Sequence, residues 1–511
     1  GNSLSACIGM ATARDLQEQD YNIICYVGDA SFFNGENLEA FFASEVKPKK
    51  MIIVFNDNGM SISQNENGAY KFFAKLARKK GYKKTKRFLR KLVGNNAIGR
   101  LLRRIRAGVK RYLQPISAME SIGFKYYGCF DGHDLKTLTE VFEEAKERGH
   151  SAFIHIKTVK GKGYEPAVEQ SEKYHGISRG YEVSKNSFSN EVSKILCDLA
   201  SDNDKIIAIT AGMQYGTGLT NFAKQFPKKV VDVGICEEYA VTAAAGMALG
   251  GLKPIVCIYS TFLQRSFDQI MTDVCMQNAP VVFMIDRAGF VGSDGRTHQG
   301  LFDLSYLSLM PNMTVLAPKD GDELAVMVKH AIELNSPVAI RYPNGENPPI
   351  EALKPFSRVG EWEYLMQGSK VVLLAVGPRM NRLALKVANS FGGLVGVVNA
   401  RSVKPLDEEV LKECLGKLII TLEENVLKGG FEMGNVWYNE PKTLDVAFDV
   451  ISDVIMSAAA MQYGGLTAPR IDSILAPYAE KSYQKYLNEY KAADEFSKDI
   501  TKRLINLEEK L

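Results

Sequence analysis

Two short apolar runs near the start of the chain, residues 23–27 and 51–55, each stop at small polar residues. Gly28-Asp29 follows the first and Asn56-Asp57-Asn58 the second. Runs of this length bounded by turn formers suit buried strands, and residues 36–44 between them suit a helix. Strand, helix and strand in that order make a βαβ unit, whose strands lie parallel and whose ligand groups collect at the strands' C-terminal ends. Asp29 and Asn58 therefore belong to neighbouring strand ends.

With 511 residues the chain is too long for one core. Domains of about 100 to 200 residues imply roughly three. Residues 2–17 have helical apolar spacing, and the sheet pattern returns at 153–156. A Gly-, Ser-, Glu- and Lys-rich stretch at 161–183 reads as a linker. Further strands are expected at 206–209, 230–233, 254–258, 281–285, 314–316 and 338–341, then at 370–375, 394–399 and 418–422. Pro348 and Pro349 mark a boundary. The expected division is 1–183, 184–347 and 356–477, with a charged helical tail at 478–511. The chain opens at Gly1, directly before the small-residue pattern of 3–11, as if inside a domain, and we expect further residues of that domain before it.

Overall charge names no partner, because the net charge is only +4 and charged residues make up 24% of the chain. The eight cysteines are scattered, with no Cys-x-x-Cys pair, which points to a reducing cytoplasm. No apolar run reaches the roughly 18 residues of a membrane helix. Residues 71–111 are rich in Lys and Arg, free of Asp and Glu, and interleaved with apolar residues. A nucleic-acid or membrane-surface patch would look like this. A solvated amphipathic insertion explains the same pattern, and neither a nucleic acid nor a membrane is expected as a partner.

Magnesium takes near-octahedral oxygen ligands and few protein carboxylates, leaving positions for phosphate oxygens and water. Asp29 and the side-chain oxygen of Asn58 supply such ligands. Gly28 lets the backbone approach a diphosphate, whose charge the following helix start favours. Read singly, each half is a set of turn residues after a strand. Together they resemble the thiamine-diphosphate fingerprint, Gly-Asp-Gly to Asn-Asp-Asn, with Ala30 in place of its second Gly. That cofactor needs a carboxylate on N1′ of its aminopyrimidine, and Glu237, at the start of a helix after a strand, is our choice. An acidic pair, Glu237-Glu238, favoured by the helix dipole is the alternative for the same residues.

Longer strings make the resemblance specific. The stretch Tyr259-Ser260-Thr261-Phe262-Leu263-Gln264-Arg265, the stretch Asp286-Arg287-Ala288-Gly289 and the run from Asp294 to Gly300 resemble the 1-deoxy-D-xylulose-5-phosphate synthase family, as do segments spread over most of the chain up to about Gly430. The resemblance implies an α/β fold of three transketolase-like domains with mainly parallel sheets. It also implies thiamine diphosphate with Mg2+, pyruvate and D-glyceraldehyde 3-phosphate as substrates, and a homodimer. By the same resemblance Glu237, His298, His175 and Asp294 are catalytic. Gly28, Asp29, Ala30, Asn58, Met60, Lys160, Glu237 and Phe262 hold the cofactor, Phe262 by stacking on its aminopyrimidine. Asp29, Asn58 and the backbone carbonyl of Met60 ligate the metal, and Tyr259, Arg265 and Arg287 bind substrate. Of the other histidines, His133 reads as a turn residue and His150, His155 and His330 as structural or exposed.

Two departures bear on function. The family's Arg-Tyr-Pro-Arg-Gly appears as Arg341-Tyr342-Pro343-Asn344-Gly345, which removes an arginine from a phosphate grip. The family's Glu-Gln-His reads Glu237-Glu238-Tyr239. Two rivals to the synthase reading are a transketolase-like paralogue with another aldehyde acceptor and a non-catalytic paralogue that binds the cofactor.

Overall fold

The computed structural model describes residues 1–43, 49–59, 123–147, 149–171, 174, 187–291 and 295–425. Met60, His175, Asp294, the basic stretch 71–111 and the tail 478–511 lie outside them. The described residues form two compact units, one of Gly1–Pro349 with Val403–Pro405 and Asn425, the other of Ile350–Ser402 with Leu406–Glu424.

The first unit begins with strands β1 (Ile23–Gly28), β2 (Met51–Asp57), β3 (Lys125–Asp131) and β4 (Ala152–Lys157), in the spatial order β1-β2-β4-β3 and all parallel. Met51 to Phe55 are buried on both faces, which is why this strand reads as an unbroken apolar run. On one face Leu4 and Ala11 of the helix Ser3–Leu16 join Phe32, Phe41, Phe55 and Phe153. The ring of Phe32 meets those of Phe33, Phe41, Phe55 and Phe153 edge-on, the favoured aromatic geometry. On the other face Ile52, Val54, Ile154 and Ile156 pack with Val141 and Ala145 of the helix Leu135–Glu147. That helix and β3 are elements beyond those expected from the sequence.

The second sheet of this unit contains β5 (Ile206–Thr210), β6 (Val230–Asp232), β7 (Lys253–Tyr259), β8 (Val282–Asp286), β9 (Thr314–Leu316) and β10 (Val338–Arg341). With β14 (Ser402–Lys404) at one edge, the order is β14-β9-β10-β8-β7-β5-β6. Tyr259 lies opposite Asp286 in the parallel β7–β8 register, and Arg341 opposite Ile285 in β10–β8. The C-terminal ends of three adjacent strands thus share one edge.

The second unit holds β11 (Glu363–Met366), β12 (Val371–Ala375), β13 (Val395–Asn399) and β15 (Leu418–Leu422), in the order β11-β13-β12-β15. Its core is a run of valines and leucines closed by the helix Gly377–Asn389. Only β11 departs from the parallel direction in this sheet, running antiparallel to β13. The chain is thus α/β with mainly parallel sheets. Among the described residues no helix is long and apolar enough to cross a membrane.

Candidate functional site

The register of β1 with β2 sets Gly28 opposite Asn56, so the residues that follow the two strands meet. The Asp29 carboxylate is buried and accepts hydrogen bonds from the backbone N–H groups of Ala30 (2.8 Å) and Gly59 (2.8 Å), one from each half of the sequence motif. Burial pushes its pKa up to about 6. The backbone donors, including Asn58, pull the other way, and the neighbouring Asp57 adds to the rise. A carboxylate held this way favours a cation beside it. Among the described residues no group of three or more His, Cys, Asp and Glu could form a metal cage. One carboxylate and one amide oxygen suit magnesium that completes its shell with phosphate oxygens and water.

Beneath this loop, Asp57 pairs with His155 across β2 and β4 at 3.2 Å, and the Tyr126 hydroxyl meets His155 Nδ1 at 2.8 Å. Asp57 and His155 therefore brace the loop from inside the sheet. Lys160 is half-buried just beyond the C-terminal end of β4, on the same sheet edge. His133 is a turn residue whose Nε2 accepts from the backbone N–H of Val159.

A short segment after Asp29 connects this edge to the second sheet. Asn34 Nδ2 donates to the Ile235 carbonyl at 3.0 Å, and the Cys236 thiol contacts the Phe33 carbonyl at 3.7 Å. Ile235 and Cys236 lead into the helix Glu237–Leu249, so Glu237 enters beside the Asp29 segment. The residue is 1% exposed. Oε1 accepts from Arg265 Nη1 at 2.6 Å, while Oε2 is buried with no partner among the described residues. Burial raises the Glu237 pKa, with the Arg265 charge opposing.

Around Glu237 the predicted residues form one chain of contacts. The Arg265 guanidinium carbon lies 4.8 Å from the Phe262 ring centroid. Phe262 stacks on Tyr259 at 5.9 Å and meets His298 edge-on at 5.2 Å. Arg287, at the end of β8, covers the other side of the arrangement with its guanidinium 3.9 Å from the Tyr259 centroid. It has a left-handed φ of 58°, is nearly buried, and donates to the Gly216 carbonyl at 2.8 Å while pairing with Asp286 at 3.0 Å. A non-glycine residue in that conformation is held there by its surroundings.

His298 owes its place to Gln299. The Gln299 amide donates to the carbonyls of Val291 and Gly295 and accepts from Val291 N–H, closing the loop that carries His298. Gly289 and Gly300 then exchange two backbone hydrogen bonds at 2.7 and 2.9 Å. Asn344, half-buried, follows Tyr342, whose carbonyl accepts from Ala288 N–H, so it lies beside the Arg287 end of the cluster. Tyr239 is 61% exposed. Gly216 escaped the sequence, and Gln299 and Gly300 were legible there only as part of the run from Asp294 to Gly300, without the roles the structure gives them. For Arg265 a signal was available, since it stands three residues after Phe262 and so shares its face of a helical turn.

Residues 1–158 match the model of the 1-deoxy-D-xylulose-5-phosphate synthase family, 185–349 that of the transketolase pyrimidine binding domain, and 360–471 that of the transketolase C-terminal domain. A 1-deoxy-D-xylulose-5-phosphate synthase of Clostridium beijerinckii is 44% identical over 84% of this chain and 72% of its own length. One of Clostridium kluyveri is 43% identical over 88% and 74%. Among solved structures, a transketolase from Campylobacter jejuni subsp. jejuni aligns over 89% of this chain and 81% of its own, with a TM-score of 0.46 and 17% identity. At more than two-fifths identity over most of both lengths, these relatives show that the chain belongs to the 1-deoxy-D-xylulose-5-phosphate synthase family.

Proposed function

We infer that the chain catalyses the reaction of its family. Pyruvate is decarboxylated and its remaining two carbons are joined to D-glyceraldehyde 3-phosphate, giving 1-deoxy-D-xylulose 5-phosphate of the non-mevalonate isoprenoid route. The observation that carries this reading is Glu237, a buried carboxylate gripped at one oxygen, unpartnered at the other, and set beside the Phe262–His298 pair. Thiamine diphosphate, when bound, supplies a nucleophilic carbon and a sink for the electrons released with carbon dioxide.

The chain's own residues divide the remaining work. Asp29 and Asn58, with the Met60 carbonyl, hold Mg2+ against the diphosphate, Gly28 and Ala30 give that group close approach, and Lys160 adds charge at the same edge. Glu237 holds a proton at aminopyrimidine N1′ through its free oxygen, and Phe262 offers the pyrimidine an aromatic face. His298, with His175 and Asp294, moves protons at the substrate carbonyl and hydroxyl. Tyr259 and Arg287 grip the acceptor's phosphate, an arrangement supported by their stacking at the ends of β7 and β8.

The exposed apolar face of the helix Glu237–Leu249, with Tyr239 and Leu249 each 61% exposed, supports a homodimer. The eight free cysteines support a reducing cytoplasm. Three domains, at 1–183, 184–347 and 356–477, are the organisation we propose.

Asn344 favours one second reading, a different aldehyde acceptor, because an amide cannot replace a guanidinium on phosphate. Pyruvate offered with glyceraldehyde 3-phosphate, glyceraldehyde and other short aldehydes, in the presence of thiamine diphosphate and Mg2+, separates the two. Preference for the phosphorylated triose is expected. Equal use of unphosphorylated aldehydes would sink the named acceptor, and absence of turnover despite cofactor binding would leave a non-catalytic paralogue.

A further inference from the structure

The helix Ser260–Leu263 runs directly into a tighter turn, Gln264–Ser266, and so places Phe262 and Arg265 on one face. The Arg265 guanidinium uses that position twice. Nη1 donates to Glu237 Oε1 at 2.6 Å, and the same planar group lies 4.8 Å from the Phe262 ring centroid. A carboxylate held at one oxygen cannot turn freely, so the unpartnered Oε2 presents a fixed direction. Phe262 is likewise confined, by Arg265, by Tyr259 stacked at 5.9 Å and by His298 edge-on at 5.2 Å.

We propose that Arg265 is a positioning residue that locks Glu237 and Phe262 into one rigid frame for the cofactor's aminopyrimidine, instead of a contact to the acceptor's phosphate. The proposal rests on the assignment of Glu237 to that ring. Charge argues the same way. Arg265 is committed to a carboxylate that is 2% exposed at its side chain, and a phosphate placed on the guanidinium would have to compete with it. The frame also requires arginine, because a lysine can pair with Glu237 but cannot lay a flat cation against a ring.

The test uses the full chain with Mg2+ and thiamine diphosphate. It reads cofactor affinity by calorimetry, and separately kcat and the KM for pyruvate and glyceraldehyde 3-phosphate. Losing one charge-assisted hydrogen bond predicts that Arg265→Met weakens cofactor binding by about tenfold and lowers kcat, with the KM for glyceraldehyde 3-phosphate changed less than about twofold. Arg265→Lys keeps cofactor affinity within about threefold but still lowers kcat, since the flat contact is gone. In a Glu237→Gln background, Arg265→Met adds less than about twofold to the loss of affinity, as residues acting through one another require.

A rise of about tenfold in the acceptor's KM with unchanged cofactor affinity and kcat overturns the proposal. So do losses that multiply independently in the two backgrounds. If Arg265→Met does not fold, Arg265→Lys decides alone: lower kcat at an unchanged acceptor KM supports the frame, and unchanged kcat or a raised acceptor KM refutes it. Full activity in Glu237→Gln would instead remove the Glu237 assignment itself, an outcome distinct from failure of Arg265 alone.

Discussion

Adding one methyl group at Gly300 tests whether the loop of His298 is as tightly seated as its contacts imply. A Cβ at Gly300 would stand 2.1 Å from the Arg287 carbonyl oxygen, 2.8 Å from Ser260 Cβ and 2.9 Å from its Oγ. The nearest of these is backbone, so relief requires the segments around Gly289 and Gly300 to part by roughly 1 Å to reach an ordinary separation. Parting them weakens the two reciprocal hydrogen bonds between Gly289 and Gly300. Two backbone hydrogen bonds at about 1 kcal/mol each, with overpacking of about 1 to 2 kcal/mol, predict that Gly300→Ala destabilises the unit by about 3 kcal/mol. For a unit spanning Gly1–Pro349 that lowers the thermal midpoint by roughly 4 °C. Because the same shift carries Arg287 and His298 out of place, kcat should fall by about a hundredfold. Gly9→Ala is the control, since nothing lies within 4 Å of its added carbon in the helix Ser3–Leu16. It should stabilise by about 0.5 to 1 kcal/mol. Scanning calorimetry and steady-state kinetics read both effects, and a Gly300→Ala protein with parental midpoint and kcat would refute the crowding argument.

Three further outcomes follow from particular contacts. At Gly216 an added Cβ would lie 1.6 Å from the Tyr259 hydroxyl. Gly216→Ala therefore displaces that ring and is expected to raise the KM for the phosphorylated aldehyde by about tenfold, as steady-state kinetics would show; an unchanged KM would count against the contact. Burial pulls the pKa of His155 down, but its hydrogen bond to Asp57 and the neighbouring Cys129 outweigh this and raise it to about 9. A raised histidine pKa adds stability that is complete below about 6.5, the unfolded value, and lost as the pH climbs through about 9. Urea midpoints should fall across that window in the parent, and a slope that survives His155→Gln would count against the pair. On the exposed helix face, Leu249→Glu is expected to convert a dimer to monomer in sedimentation velocity without loss of fold, and a monomeric parent would remove the proposed homodimer.

Some of this architecture is legible in the sequence because local chemistry alone decides it. β2 and β12 are buried on both faces, and an unbroken apolar run has few other uses at that length. Asp29 and Asn58 are legible for a related reason, since Gly-Asp and Asn-Asp-Asn after consecutive parallel strands must share an edge whatever the rest of the chain does. β3 hides because its seven residues mix exposed and buried positions around Gly128, which is how an edge strand looks when its register is interrupted. β11 hides because Glu363 is fully buried in it, accepting from the backbone N–H groups of Leu353 and Lys354. A buried carboxylate with such partners cannot be told from a solvated one by its neighbours in sequence.

The same limit governs the site. That a carboxylate is needed near the cofactor follows from chemistry, but that Glu237 is gripped by a residue 28 positions away is a property of packing. Asn344 joins the two kinds of information. The sequence records a missing cation, and the structure sets that position beside the Arg287 end of the cluster, where Ala288 N–H donates to the Tyr342 carbonyl. On the proposed function the Tyr259–Arg287 pair is the cationic grip on an acceptor, with Arg287 also paired to Asp286. If that grip holds the acceptor, one guanidinium in place of two weakens discrimination between a phosphorylated and an unphosphorylated aldehyde, and acceptor choice leans more on the fit around Gly216 and Tyr259 than on charge.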